Sequence, residues 1–169
     1  IIGGGAIGML AALLLRQLGV RRIVLAELNA LRRAAVEKHA HCETIDPRQA
    51  APAENSFDVV IDAVGAKATR AQTFTAIKPG GVIMHVGLQD WASEIDMRKL
   101  TLAEITLLGT YTYTTSDLRA TVAALASGTR WRPGSPWIPT PISIMSSGRS
   151  NVGLPAAGTV QLVRAIPIE

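Results

Sequence analysis

One cysteine, Cys42, stands in a chain of 169 residues. No disulfide can close within the chain, and no multi-cysteine zinc site can be assembled from it, which fits a reducing cytoplasm. Aromatic residues make up only 4% of the chain. The net charge of +4 dissolves when it is divided along the sequence: residues 1–128 carry 13 Lys and Arg against 12 Asp and Glu, and residues 129–169 carry four Arg against Glu169. With no basic stripe interleaved with aromatics, nucleic acid is not an expected partner. Long apolar runs are missing as well. The charge-free stretch Ile1 to Leu15 includes four glycines and stops at Arg16, short of the roughly 18 to 20 apolar residues that span a bilayer, so no membrane anchor is expected. There is no G-x-S-x-G elbow and no Walker lysine loop, and Thr115 and Asp117 stand where a Tyr-x-x-x-Lys pair starting at Tyr111 or Tyr113 would need lysine. Both tyrosines are expected to pack at a strand end.

What is present, up to about Gly128, is an alternation of short β-branched runs with helix-like segments. The runs are RIVLAE (22–27), a weaker ETID (43–46), FDVVIDAVG (57–65), GGVIMHVG (80–87) and ITLLGTY (105–111). Between them the pattern predicts helices over Ala6–Leu18, Ala30–His39, Ala66–Ile77 (stopped at Pro79-Gly80) and Asp117–Ser127, the last capped by Ser116 or Asp117. Uniformly apolar strands such as VVIDAV imply a sheet covered on both faces, so the expected fold is an α/β, Rossmann-type, doubly wound parallel sheet of strand order 3-2-1-4-5-6. Only Ile1 and Ile2 precede the first glycine. The first strand is therefore expected to be truncated and the glycine loop correspondingly loose.

That loop, Gly3-x-Gly5-x-x-Gly8, matches the dinucleotide fingerprint. One glycine makes the turn, one lets backbone approach a pyrophosphate, and one lets the helix pack on the strand. The helix start then offers the N–H groups of Ala6, Ile7 and Gly8 to the phosphates. A glycine-rich helix start without a ligand has the same spelling, so the second element matters: RIVLAE ends in Glu27, 19 residues beyond Gly8, where such a fold needs an acid for the adenine ribose. A carboxylate there repels a 2′-phosphate and favours NAD over NADP. Arg32 and Arg33 could hold such a phosphate or simply form the solvated face of the second helix. The strand ends Ala63-Val64-Gly65, Val86-Gly87-Leu88 and Gly109-Thr110 are further candidate contacts, because ligands lie across the carboxyl ends of these strands. Asp62 is either a polar group near the cofactor or a buried carboxylate capping a neighbouring loop. The His39-Ala40-His41-Cys42 run reads as a solvent-facing turn rather than a metal site, and His85 as a packed or hydrogen-bonded strand residue.

The segments IIGGGAIGMLAALLLRQLGVRRIVLAE, FDVVIDAVG, IKPGGVIMHVGLQ and LTLAEITLLGTYTYTTSDLRATVAALASG together resemble the coenzyme-binding domain of the zinc-containing medium-chain alcohol and polyol dehydrogenases, which include sorbitol, threonine and galactitol-phosphate dehydrogenases. The resemblance covers residues 1–128. It implies a pyrophosphate held by Gly3, Gly5, Ala6, Ile7 and Gly8, an adenosine ribose held by Glu27, Arg32 beside the adenine, and Val64, Val86, Gly87 and Leu88 towards the nicotinamide. It further implies an NAD-dependent oxidation of a small-molecule secondary alcohol or polyol, a cytoplasmic homo-oligomeric parent enzyme, and a structural role for Glu104. The edge near Ile105–Tyr111 would be open to a dimer partner. Catalytic zinc and its ligands belong, by the same resemblance, to a separate preceding domain that these residues do not contain. No catalytic residue or metal ligand is therefore expected in this chain, nor turnover from it alone.

Residues 129–169 depart from that pattern. They carry six of the nine prolines and two of the three tryptophans, with no acid before Glu169. This Pro-, Arg- and Ser-rich tail is expected to be disordered or the product of a reading-frame shift, with only TVQLVRAI (159–166) resembling a strand. Two readings from other classes share the glycine loop: an S-adenosylmethionine-dependent methyltransferase, and a non-catalytic NAD-binding regulatory module.

Overall fold

In the computed structural model of the chain, residues 1–127 are described; the tail from residue 129 and its strand-like stretch lie outside them. Two compact units divide the chain, Ile1–Gly109 and Thr110 onward.

The first unit runs α1 (Ala6–Gln17), β1 (Val24–Ala26), α2 (Ala30–Ala40), β2 (Glu43–Ile45), β3 (Phe57–Asp62), α3 (Lys67–Ala76), β4 (Ile77–His85), α4 (Met97–Leu102) and β5 (Thr106–Gly109). Every strand pairing is parallel. β1 pairs with β2, and β3, β4 and β5 lie in that order. Ile2 joins the two groups, bridging Ala26 on one side and Asp62 on the other. The line across the sheet is thus β2, β1, Ile2, β3, β4, β5, the doubly wound order expected from the sequence. Backbone bonds secure the junction: Ile2 N–H donates to Ile61, the Ile2 carbonyl accepts from Ala63, and Gly3 N–H donates to Ala26, all within 2.9 Å.

β1 and the carboxyl-terminal parts of β3 and β4 are buried because their residues are apolar on both faces, whereas β2 and β5 at the edges are exposed or half-buried. Leu25, Ile61, Ile77 and Ile83 are almost fully enclosed, and Ile2 packs into one cluster with Val60, Phe74, Ala76, Ile83 and Ile105. Helix α1 contacts α2, while α3 lies against β3 and β4. Each helix start has its own reason. Asn29 caps α2 by accepting from the N–H groups of Leu31 and Arg32, and Asp96 does the same for α4 through Lys99. At α1 the cap position is Gly5, which offers no side-chain acceptor.

Four points depart from the sequence reading. Pro79-Gly80 does not stand beyond a helix stop in a loop. It lies inside β4, which begins at Ile77 and pairs back to Phe57 across a bulge, with Gly80 at φ +74° absorbing the bend. Helix α4 has no counterpart in the sequence reading, being six residues long with no buried face to create a periodicity. In the second unit, α5 (Thr115–Ser127) starts earlier than expected. Thr114 rather than Ser116 or Asp117 is its cap: Thr114 Oγ1 accepts from Asp117 N–H while the Asp117 carboxylate accepts from Thr114 N–H. Tyr111 and Tyr113 are also not packed at the strand end; both are exposed, and β5 stops at Gly109.

Among the described residues no helix is long and apolar enough to cross a membrane.

Candidate functional site

The glycine loop takes its shape from three different demands. Gly3 sits at φ +98°, and a Cβ there would lie 2.6 Å from Val64 Cγ2. At Gly8 a Cβ would lie 1.8 Å from the Gly3 carbonyl oxygen, so the first turn of α1 closes directly onto the loop. Gly5 is the opposite case, because a Cβ would meet nothing within 4 Å. Its backbone is extended and needs no glycine for geometry. What glycine provides at this position is open space over a helix start whose first-turn N–H groups, from Ala6, Ile7 and Gly8, have no side-chain cap. The partial positive charge of a helix N-terminus is thus presented bare, a fit for a diphosphate. Ala6 and Ile7 are solvent-exposed, so the approach is clear.

Glu27 stands beside this loop, just after β1. Its side chain is almost fully buried, and both carboxylate oxygens are held by backbone donors: Gly4 N–H reaches Oε2 at 2.7 Å and Asn29 N–H reaches Oε1 at 2.8 Å. Burial pushes the Glu27 pKa up, but the N–H groups of Asn29 and Gly4, with the nearby Arg32 guanidinium, outweigh it and bring the group below its ordinary value. The carboxylate is therefore ionised and fixed in direction, with a lone pair on each oxygen left for a diol. Gly4, unnoticed in the sequence because it is the variable position of G-x-G, leaves room for Glu27: a Cβ on it would come 3.0 Å from Glu27 Cγ, so that side chain would have to give way by a few tenths of an ångström.

Around the Glu27 turn stand three arginines. Arg32 is exposed, with Nη1 3.8 Å from Glu27 Oε2. Arg33 Nη1 donates to the carbonyls of Glu27 and Leu28 at 2.7 and 2.9 Å, and lies 3.2 Å from Asp46 Oδ2. Arg33 is therefore not part of a purely solvated helix face. Arg48 donates to both Asp46 oxygens and, through Nη2, to Leu28 O at 3.0 Å. Asp46 was visible in the sequence only as the acid ending a weak strand. Its pKa is held well below the usual carboxylate range, chiefly by the Arg48 side chain and, against its burial, by Arg48 N–H and Arg33.

The strand ends at the other side of the loop meet as closely as backbone permits. A Cβ on Gly87 would lie 2.1 Å from the Val64 carbonyl carbon, and Val86 and Gly87 both donate to Asp62 O. Gly3, Val64 and Gly87 are thereby brought together, with Val86 half-buried and Leu88 exposed next to them. Asp62 is a loop cap: fully buried, it accepts from Val64 N–H, Gly65 N–H and Thr69 Oγ1. His85 Nδ1 lies 3.5 Å from Asp62 Oδ2, as fits a partnered strand residue. Gly109 pairs with His85 at the end of β5. Among the described residues no three His, Cys, Asp or Glu side chains are grouped to hold a metal ion. The His39–Cys42 run ends α2, with His41 in the left-handed region and the Cys42 thiol donating to Ala40 O.

The chain is similar to known dehydrogenases. L-threonine 3-dehydrogenase of Ruegeria pomeroyi is 28% identical over 120 residues, 66% of this chain and 35% of its own. D-xylulose reductase A of Aspergillus oryzae is 22% identical over 140 residues, 76% of this chain and 39% of its own. A Sinorhizobium meliloti structure described as a zinc-binding dehydrogenase bound to NADP is 28% identical, with a TM-score of 0.68 over 75% of this chain and 40% of its own. The chain thus spans about two fifths of the length of the curated relatives it matches first. The model of the zinc-binding dehydrogenase family matches residues 6–127, from the first residue of α1 to the last of α5. By that match the chain belongs to the zinc-binding dehydrogenases, the medium-chain alcohol and polyol dehydrogenase group that its motifs resemble.

Proposed function

We propose that residues 1–128 form the coenzyme-binding part of a cytoplasmic, NAD-dependent, zinc-containing alcohol or polyol dehydrogenase that acts as a homo-oligomer on a small-molecule secondary alcohol. The observation that carries the reading is the pairing of a bare helix start at Gly5–Gly8 with an oriented, ionised Glu27 across Gly4. A pyrophosphate needs the first and a ribose diol the second, and a dinucleotide presents both at this spacing. In this reading Gly3, Gly5, Ala6, Ile7 and Gly8 bind the pyrophosphate, Glu27 the adenosine ribose, and Arg32 lies along the adenine. Val64, Val86, Gly87 and Leu88 form the wall on which the nicotinamide rests. When bound, the nicotinamide ring accepts hydride from the alcohol carbon. The residues here bind, orient and exclude water. The described residues offer no donor set for zinc, so no step at the alcohol oxygen is assigned to them.

Fluorescence titration of the full chain with NADH should saturate at one equivalent, while S-adenosylmethionine gives no displacement. Binding of S-adenosylmethionine in preference to NADH would move the chain to the methyltransferases.

A further inference from the structure

We propose that Asp46 sets the dinucleotide preference of this site, by neutralising two guanidinium groups that would otherwise welcome a 2′-phosphate beside Glu27. The proposal rests on the nucleotide-binding reading above and adds a determinant one strand away from the acid that faces the ribose.

Three arginines ring the Glu27 turn, and two of them reach it directly. Arg33 and Arg48 both donate to Leu28 O, and Arg33 also to Glu27 O. Guanidinium groups so placed, next to ribose hydroxyls, are what recognition of a phosphate dianion requires. Asp46 occupies them. It follows β2, its side chain is 4% exposed, and it takes Arg33 at 3.2 Å and Arg48 at 2.6 Å. The Asp46 carboxylate is buried and Arg33 mostly so, and solvent screens the Arg33 contact less than the Arg48 one. In the cluster, Arg32, Arg33 and Arg48 stand against Glu27 and Asp46, a net charge of +1. Loss of the Asp46 charge alone makes it +2. The two guanidiniums would still be tethered through the Glu27 and Leu28 carbonyls, so they would stay at the turn with free donors. Loss of the Arg48 charge makes the cluster neutral.

The two changes therefore predict opposite shifts. In fluorescence titrations of the full chain with NADH and NADPH, the wild type should prefer NADH. Asp46→Asn should move the affinity ratio towards NADPH by about tenfold, the effect of one partly screened unit charge several Å from a phosphate. Arg48→Gln should move it further towards NADH, by about threefold since Arg48 is more exposed. A purely structural clamp would weaken both nucleotides alike in both variants. Ratios within twofold of the wild type in both variants would overturn the proposal while leaving nucleotide binding intact. A wild type that binds neither nucleotide would overturn the underlying reading as well. Should Asp46→Asn fail to fold by circular dichroism, Arg48→Gln, whose side chain is 65% exposed, decides alone: a shift towards NADH supports the proposal and an unchanged ratio refutes it.

Discussion

Two glycines three residues apart behave as opposites, and substitution separates them. Gly5→Ala places a methyl group in open space on extended backbone, so the stability read from a urea melt should stay within about 0.5 kcal/mol of the wild type. The same methyl group stands where a pyrophosphate would approach, and NADH affinity should fall at least about tenfold, about 1.4 kcal/mol. Gly8→Ala drives a Cβ to 1.8 Å from Gly3 O. It should cost roughly 2–3 kcal/mol of stability in a urea melt, as overpacking against backbone does. Glu27 and Asp46 also give a pH dependence. Both have folded-state pKa values below their ordinary ones. Their contribution is fully present above the unfolded value of about 4 and is lost as pH falls through the folded values. Urea midpoints should therefore hold steady from pH 7 to about 5 and drop below about 4. Glu27 was legible from its distance to Gly8. Gly4 and the Asp46 cluster were not, because a backbone donor and a pairing across two loops leave no mark in local spacing.

Helix and strand boundaries show where local chemistry reports and where it does not. Asn29 accepts from two N–H groups at the start of α2. Asn29→Ala should destabilise the chain by about 1 kcal/mol, read as a lowered urea midpoint with an unchanged slope. The same residue also donates its own N–H to Glu27, a bond the backbone keeps after substitution, so NADH affinity should change less than stability does. The apolar runs located β1, β3 and β4, whose central positions are buried, while β2 and β5 were found from runs that stay exposed or half-buried. The Pro79-Gly80 pair misled because a turn signal also serves a strand that bends across a bulge. Helix α4 escaped because six exposed or half-buried residues carry no periodicity.

Ile1, Ile2 and Gly3 form the seam of the first unit's sheet. Ile2 is 4% exposed and makes the only bridges among the described residues between the β1–β2 pair and β3–β4–β5. Ile2→Ala should cost about 2–5 kcal/mol, as truncation of a buried Ile does. NADH binding should weaken with it, because Gly3 follows in the chain and closes the loop. The sequence predicted this doubly wound order from its alternation of runs and helices, and the loop at its centre from three glycines. The central claim is that a dinucleotide seats at this junction, across α1's bare start and Glu27. Amide hydrogen exchange of the full chain with and without NADH tests it directly. Protection should appear at Ala6, Ile7 and Gly8, around Glu27 and at Val64 to Gly65 and Val86 to Leu88. Binding of NADH with protection confined to other segments, or no change at Ala6 to Gly8, would contradict it.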